Sequence, residues 1–309
     1  MIKPKTFKKI LKRTSPVIAL IPPAHRLRIA KIIKIPGAQT LFDPNSIRHY
    51  AHIKQKSVHK RINFSDGTKL TVDINDIIGF RAAINKKWDS TSLNLVKKFY
   101  TSKLIFIDVG ANIGATCIPI ANLGLQIIAF EANQDTVQLL FKNISDNSVK
   151  KAIVFPFALG AELHNGKYMK ISTPIGNISS ASLVNNWSHG KDPVKNQNTY
   201  MSTLDNTLSM LSLMNSKKDI ILKIDVEGFE LHVINGALKT IKKHRPLIVF
   251  ENNPASSKNS IQAFKDMINK LSNYKIFEIT EENLLLDFNP RLRYENAILV
   301  PNEKLKAFN

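Results

Sequence analysis

From residue 104 onward the chain alternates short apolar runs with stretches of helical period, and this alternation constrains the fold more than any other feature of the sequence. Residues 104–109, 126–130, 152–157, 220–226 and 247–250 read as strands. Residues 115–123, 136–143, 229–243 and 261–271 carry apolar side chains at three- and four-residue spacing, as helices do. Residues 274–279 and 297–300 close the series as strands. Strands apolar on both faces and separated by helices belong to a doubly wound, mostly parallel α/β sheet. Such a sheet receives its ligand beyond the carboxyl ends of the strands, where strand order reverses.

The 309 residues, 43% hydrophobic and 22% charged, have globular composition and enough apolar material for one large domain with an extension. Ahead of the alternation, 61–64 and 69–72 read as strands joined by a turn at Asp66-Gly67, and 92–99 reads as a helix. The expected organisation is a basic amphipathic helical extension over 1–58 and one domain over 59–309. Within the latter, 59–100 is a lead-in, 104–301 the core and 171–200 an insert. The formal charge of +20 is uneven, because residues 1–61 hold fifteen Lys or Arg and a single acid, Asp43, giving +14. Apolar residues such as Phe7, Ile10, Leu11, Leu27 and Ile33 recur there at helical spacing. A segment of this kind either lies on an anionic membrane surface or docks on the domain with its lysines solvated. No apolar run approaches the ~20 residues of a membrane span. The lone cysteine, Cys117, can form neither an intramolecular disulfide nor a Cys-pair zinc site. The expectation is a cytoplasmic protein, peripheral to a membrane at most.

The first strand of the series ends in Asp108-Val-Gly110-Ala-Asn112-Ile-Gly114 and opens into a helix, the place where nucleotide-like cofactors bind. A dinucleotide fingerprint needs glycine at its second position so that the pyrophosphate can approach the backbone. Asn112 stands there, and Asp108 adds repulsion. S-Adenosylmethionine, which has no phosphate and carries an ammonium and a sulfonium, fits this loop better. Glu131 ends the second strand, where a carboxylate accepts hydrogen bonds from both ribose hydroxyls.

In the strand over 220–226, Lys223 and Asp225 share a face because side-chain direction has period two. One reading is a structural ion pair, since a buried charge needs a partner. The other is catalytic. This strand neighbours the Asp108 strand across the point of reversal, so Asp225 and Glu227 face the reactive end of the cofactor and can orient or deprotonate a hydroxyl. The histidines form no ligand set, and no metal is expected.

Phe106-IDVGANI-Gly114, FEAN at 130–133, ALG at 158–160, STLD at 202–205 and LKIDVEGFE at 222–230 resemble the FkbM family of S-adenosylmethionine-dependent methyltransferases, in the family's order across about residues 60–300. The resemblance implies a class I methyltransferase, Rossmann-like fold and O-methylation of a hydroxyl on a sugar or natural product. It also implies cofactor contacts at Asp108, Gly110, Asn112, Gly114, Glu131, Asn133 and Ala158.

Methyl transfer from a sulfonium is an in-line displacement of an already activated reagent, so the protein has to supply alignment and proton removal. The candidate catalytic residues are Asp225, Glu227 and Lys223. The Asn- and Ser-rich insert, with Asn177 and Trp187, suits the alternating polar and C–H surfaces of a carbohydrate. With Glu251 these are the candidate acceptor contacts. The expected acceptor is a sugar hydroxyl in a glycan or glycolipid. A nucleic-acid methyltransferase, suggested by the charge, is disfavoured by the acidic DVEGFE turn. An inactive cofactor-binding scaffold is disfavoured by the presence of Asp108, Glu131, Asp225 and Glu227 together. Oligomeric state is not legible here.

Overall fold

Thirteen strands are seen in a computed structural model, which describes residues 23–32, 57–174, 180–184, 194–252, 273–288 and 295–308, together with 18, 21 and 271. The first two, β1 (His59–Asn63) and β2 (Lys69–Asp73), form the hairpin expected around Asp66-Gly67. Its turn is held by the Asp66 side chain, which accepts from the Thr68 amide at 2.9 Å. The central sheet uses β3 (Leu104–Val109), β4 (Gln126–Phe130), β5 (Ala152–Phe155), β9 (Asp219–Ile224), β10 (Leu247–Asn252), β11 (Tyr274–Ile279), β12 (Leu285–Asp287) and β13 (Glu295–Pro301). Their spatial order is β12-β11-β13-β10-β9-β3-β4-β5. The pairs β3–β4, β4–β5, β3–β9 and β9–β10 are parallel, while β13 is antiparallel to both β10 and β11. The chain runs outward from β3 through β4 and β5, then returns to β9 on the other side. The reversal therefore lies between β3 and β9, as the apolar pattern implies.

Every residue of β3 is buried, and its two faces serve two cores. Phe106 packs with Ile127, Ile221 and Val249 on one face, and Ile105, Ile107 and Val109 pack with Leu222, Val233 and Ile241 on the other. Asp108 and Lys223 are register partners, so the acid and the lysine stand side by side on the Phe106 face. Covering that face are helices Ile77–Asn85, Ser90–Lys98, Cys117–Ala121 and Gln134–Asp146. The helix Pro23–Ile32 joins them by burying Leu27 and Ala30, while buried Arg26 donates to Asn75 at 3.0 Å. Over these residues the basic extension is docked, and its apolar side is not free to lie on a membrane. The rest of the expected extension, and the helix expected over 261–271 apart from residue 271, lie outside the described residues.

Several elements depart from the sequence reading, among them the helix Leu204–Met210 and the strand β12, neither of which was anticipated. The helix Ile77–Asn85 was not anticipated; it starts at Asp76, whose side chain accepts from the Ile78 amide at 3.0 Å. The helix expected over 229–243 is two, Glu230–Asn235 and Leu238–His244, broken at Gly236. A β-carbon on Gly236 would lie 1.9 Å from the Gly160 carbonyl oxygen, so the chain bends where another segment presses on it. Asp205 starts the second helix by accepting from the Lys239 and Thr240 amides at 2.9 and 2.7 Å. The insert begins and ends in strand, while 175–179 and 185–193 lie outside the described residues. It opens and closes as β7 (Tyr168–Pro174) and β8 (Val194–Ser202), paired antiparallel, with β6 (Ala158–Leu159) parallel to β8.

Candidate active site

The turn after β3 is fixed by three constraints. Gly110 has φ of +85°, and a β-carbon there would stand 1.9 Å from the Asp225 carbonyl oxygen, so only glycine lets the two strand ends touch. The amides of Gly110 and Ala111 both donate to the Phe130 carbonyl at 2.9 Å. Asn112 takes a left-handed backbone, φ 51°, which its side chain supports by accepting from the Ile113 amide at 2.8 Å. The Asn112 amide donates to Glu131 Oε2 and the Asn133 amide to Glu131 Oε1, each at 2.8 Å. Burial pushes the Glu131 carboxyl up to about 7, against the pull of these amides. Each oxygen retains acceptor capacity toward the cavity that Glu131 lines.

That cavity has a volume of about 380 Å³, within the range of small-molecule sites. Its lining includes the apolar Phe130, Phe157, Ala158 and Leu159 with Glu131, and the charged Lys223, Asp225, Glu227 and Glu251. Of the residues singled out in the sequence, Gly110, Asn112, Glu131, Ala158, Lys223, Asp225, Glu227 and Glu251 border this one cavity. Asp108, Gly114 and Asn133 do not border it. Asn133 starts the helix Gln134–Asp146 by accepting from the Asp135 amide at 3.0 Å. Gly114 meets Ile118 and Leu140, with φ +86°. Asp108 lies fully buried beneath the turn. Asn177 and Trp187 lie outside the described residues.

Lys223 Nζ is 2.9 Å from Asp225 Oδ2 and 3.6 Å from Asp108 Oδ1. Burial alone would lower the ammonium pKa, but the carboxylates of Asp225, Asp108 and Asp89 outweigh it and hold Lys223 above its ordinary value. Burial pushes Asp108 up to about 6, with Lys223 opposing. Glu251 is pushed up to about 9, by burial first and then by the negative charges of Asp225, Glu227 and Glu230. Glu230 is raised to about 7 by burial, while its Oε1 accepts from the Gly228 and Val226 amides at 3.0 and 3.3 Å. Glu227 sits in this turn with φ 52°, a strained conformation for a side-chain-bearing residue. Its carbonyl accepts from Ser182 Oγ at 2.8 Å, tying the insert to the turn.

Sequence reasoning missed the contribution of the lead-in. Ile77, Ile78, Arg81 and Trp88 also line the cavity. The available signal was a tryptophan in the polar stretch Lys86-Lys-Trp88-Asp89, just before a helix. Among the described residues, no group of three or more His, Cys, Asp or Glu is arranged to hold a metal ion. No helix there is long and apolar enough to cross a membrane.

The model of the methyltransferase FkbM domain matches residues 108–276, more than half of the chain. The chain belongs to the FkbM methyltransferase family. Solved structures similar to this FkbM-family chain include the methyltransferase FkbM from Methylobacillus flagellatus KT, at 13% identity and a TM-score of 0.42 over 89% of this chain. The chain spans 58% of that protein's length. A putative O-methyltransferase from Klebsiella pneumoniae is 12% identical, with a TM-score of 0.39 over 69% of this chain and 79% of its own. The METTL16 methyltransferase domain is 12% identical, with a TM-score of 0.42 over 77% and 75%. No curated protein matches the chain. The family's cofactor is S-adenosylmethionine, and the cavity suits it. The Glu131 carboxyl, the aromatic Phe130 and Phe157, and the acidic Asp225, Glu227 and Glu251 all border it.

Proposed function

We propose that this chain is an S-adenosylmethionine-dependent O-methyltransferase acting on a sugar hydroxyl of a glycan or glycolipid. The observation that carries the reading is the acidic group at the carboxyl ends of β9 and β10. Asp225 and Glu251 border the cofactor cavity there, and the ammonium beside them is already engaged by Asp108 and Asp225. Phosphate-rich acceptors are repelled at such a place, and a neutral hydroxyl is not. When bound, the cofactor supplies a methyl group on sulfonium. Lys223 holds Asp225 Oδ2, leaving Oδ1 to accept the acceptor's proton as the new O–C bond forms and the S–C bond breaks. Glu251, beside Asp225 in the same cavity, hydrogen-bonds the same or a neighbouring hydroxyl and so orients it. The +14 charge of residues 1–61 supports a further reading, that the enzyme works against an anionic membrane surface bearing lipid-linked glycans.

The test is methyl transfer from isotopically labelled S-adenosylmethionine to a panel of neutral methyl glycosides, lipid-linked oligosaccharides and tRNA. Label is expected in a carbohydrate and in an ether linkage. Label in tRNA alone would replace this reading with the nucleic-acid one. Saturable cofactor binding without transfer to any member of the panel would favour an inactive scaffold.

A further inference from the structure

A second cavity, of about 280 Å³, adjoins the first and shares Trp88, Lys223, Asp225 and Glu251 with it. Its remaining walls come from two stretches that flank the matched family domain, the lead-in with Asn85 and Thr91, and the C-terminal strands with Glu281 and Asn296. We propose that this chamber is the acceptor subsite and that it takes a neutral pyranose ring, lying against Trp88 and hydrogen-bonded by Asn296 and Glu251. The proposal rests on the sugar reading above and adds where the sugar sits and which residues select it.

The placement of Trp88 is built, not incidental. It follows Lys86 and precedes Asp89, both with positive φ, 53° and 21°. The Lys86 amide closes the preceding helix on Ala82 at 2.9 Å, and its carbonyl accepts from the Ser65 amide at 2.9 Å. Asp89 accepts from the Ser92 amide at 3.0 Å and from Thr116 Oγ1 at 3.3 Å, tying the turn to the segment after the cofactor loop. The half-buried indole thus stands at the boundary of the two cavities, where an apolar sugar face can cover it while a ring hydroxyl points to Asp225. Glu251 and Asn296 are register partners across β10 and β13, so a carboxyl and an amide project side by side into the chamber. Together they offer both donors and acceptors, which is what vicinal hydroxyls require. Lys87 bonds Glu281 at 2.8 Å, and the Asn94 side-chain amide donates to the Glu281 carbonyl at 2.9 Å, fastening the lead-in to the C-terminal strands at the rim.

The charge balance selects against anions. Asp89, Asp225, Glu251 and Glu281 line the chamber against Lys87 and Lys223, and both ammonium groups are already paired. A phosphorylated or carboxylated ring would find no free cation there.

The chain has two tryptophans, so the Trp88 signal is read as the difference between the native protein and Trp88→Phe. Titrating the native protein with neutral methyl hexosides is expected to give a saturable change in emission that Trp88→Phe lacks, with glucose 6-phosphate giving none. On whichever glycoside accepts methyl, Trp88→Ala and Asn296→Ala are each expected to raise the acceptor KM tenfold or more. Trp88→Phe should recover most of the loss at that position, and the cofactor dissociation constant should stay within twofold in Asn296→Ala, whose side chain does not border the cofactor cavity. A response confined to the phosphorylated sugar overturns the neutral-ring assignment. Transfer to a glycoside with unchanged KM in the Trp88 and Asn296 variants overturns the subsite while leaving the sugar reading intact. Absence of both glycoside binding and glycoside methylation overturns the two together.

Discussion

Glu131 shows how a single side chain comes to be ready for a ligand. Two backbone amides fix its carboxyl in a buried place, and on the proposed assignment of Glu131 to the cofactor's ribose the hydroxyls would meet an acceptor that does not need reorienting. Glu131→Gln removes charge-assisted hydrogen bonds of about 1.5–3 kcal/mol, so S-adenosylmethionine affinity measured by calorimetry is expected to fall about ten- to a hundredfold. Because burial holds this group near 7, affinity in the native protein is expected to rise from pH 6 to 8 as the carboxylate forms. The Gln variant should lose that slope, and an unchanged dissociation constant would remove Glu131 from the cofactor site. Asp225→Asn is expected to lower turnover about 10²–10⁴-fold with cofactor affinity changed only a few-fold. Normal turnover per folded molecule would leave Asp225 solely the ion-pair partner of Lys223. Asp108 is where sequence and structure part most clearly. An acid ending a buried strand was legible, but not that it points under the turn toward Lys223 rather than into the cavity.

Among the elements, those with both faces apolar were read correctly, because burial on two sides leaves a continuous hydrophobic run that no surface strand shows. The strands β7 and β8 escaped because Lys170, Ser172, Asn196, Gln197 and Asn198 carry little apolar alternation; their pairing is a product of tertiary context. The helix Ile77–Asn85 escaped for a related reason. Two isoleucines and a glycine open it, and Gly79 is needed because a β-carbon there would come 2.0 Å from the Asp73 carbonyl oxygen. Trp88 could be seen in the sequence, but its place beside β9 and β10 depends on that unforeseen helix. The helix Pro23–Ile32 gives the element-scale prediction. Leu27 is completely buried, so Leu27→Ala is expected to lower stability by about 2–5 kcal/mol in urea unfolding. A change within error would mean that the helix contributes nothing to the fold and that the basic extension is free after all.

At the scale of the whole molecule, four buried carboxyls share one direction of shift. Asp108, Glu131, Glu230 and Glu251 stand at about 6, 7, 7 and 9, above ordinary values of 3.8 for Asp and 4.5 for Glu. The folded state therefore holds more protons than the unfolded state through this window, and stability falls as pH rises. The melting temperature of the ligand-free protein is expected to decline from pH 5 to pH 9. Glu251→Gln should flatten the upper part of that decline, and an equal slope in both proteins would show that Glu251 ionises freely. That β9 neighbours β3 across a point of reversal was legible at this scale, because alternation and acidic strand ends agree; the placing of β11, β12 and β13 was not. Nor was the chamber beside them, since it is assembled from residues separated by up to 211 positions, Asn85 and Asn296 being the most distant pair.

With Lys223 clamped between Asp108 and Asp225, Glu251 is the carboxyl of the centre pushed furthest toward its protonated form, by burial and by its negative neighbours. Seating a cation beside it is then a swap and not an addition: a positive charge arrives, a proton departs, and the centre keeps nearly the same net charge. In Glu131→Gln, where the carboxyl at the second strand end no longer titrates, the heat of S-adenosylmethionine binding should accordingly carry the ionisation enthalpy of the buffer and differ between Tris and phosphate, whereas S-adenosylhomocysteine, with an uncharged sulfur, should bind with much less such dependence. A heat independent of buffer for both would show that no proton is exchanged. If the swap operates, the spent cofactor is recognised by the proton that comes back, and turnover is geared to proton traffic at a carboxyl that never touches the methyl group.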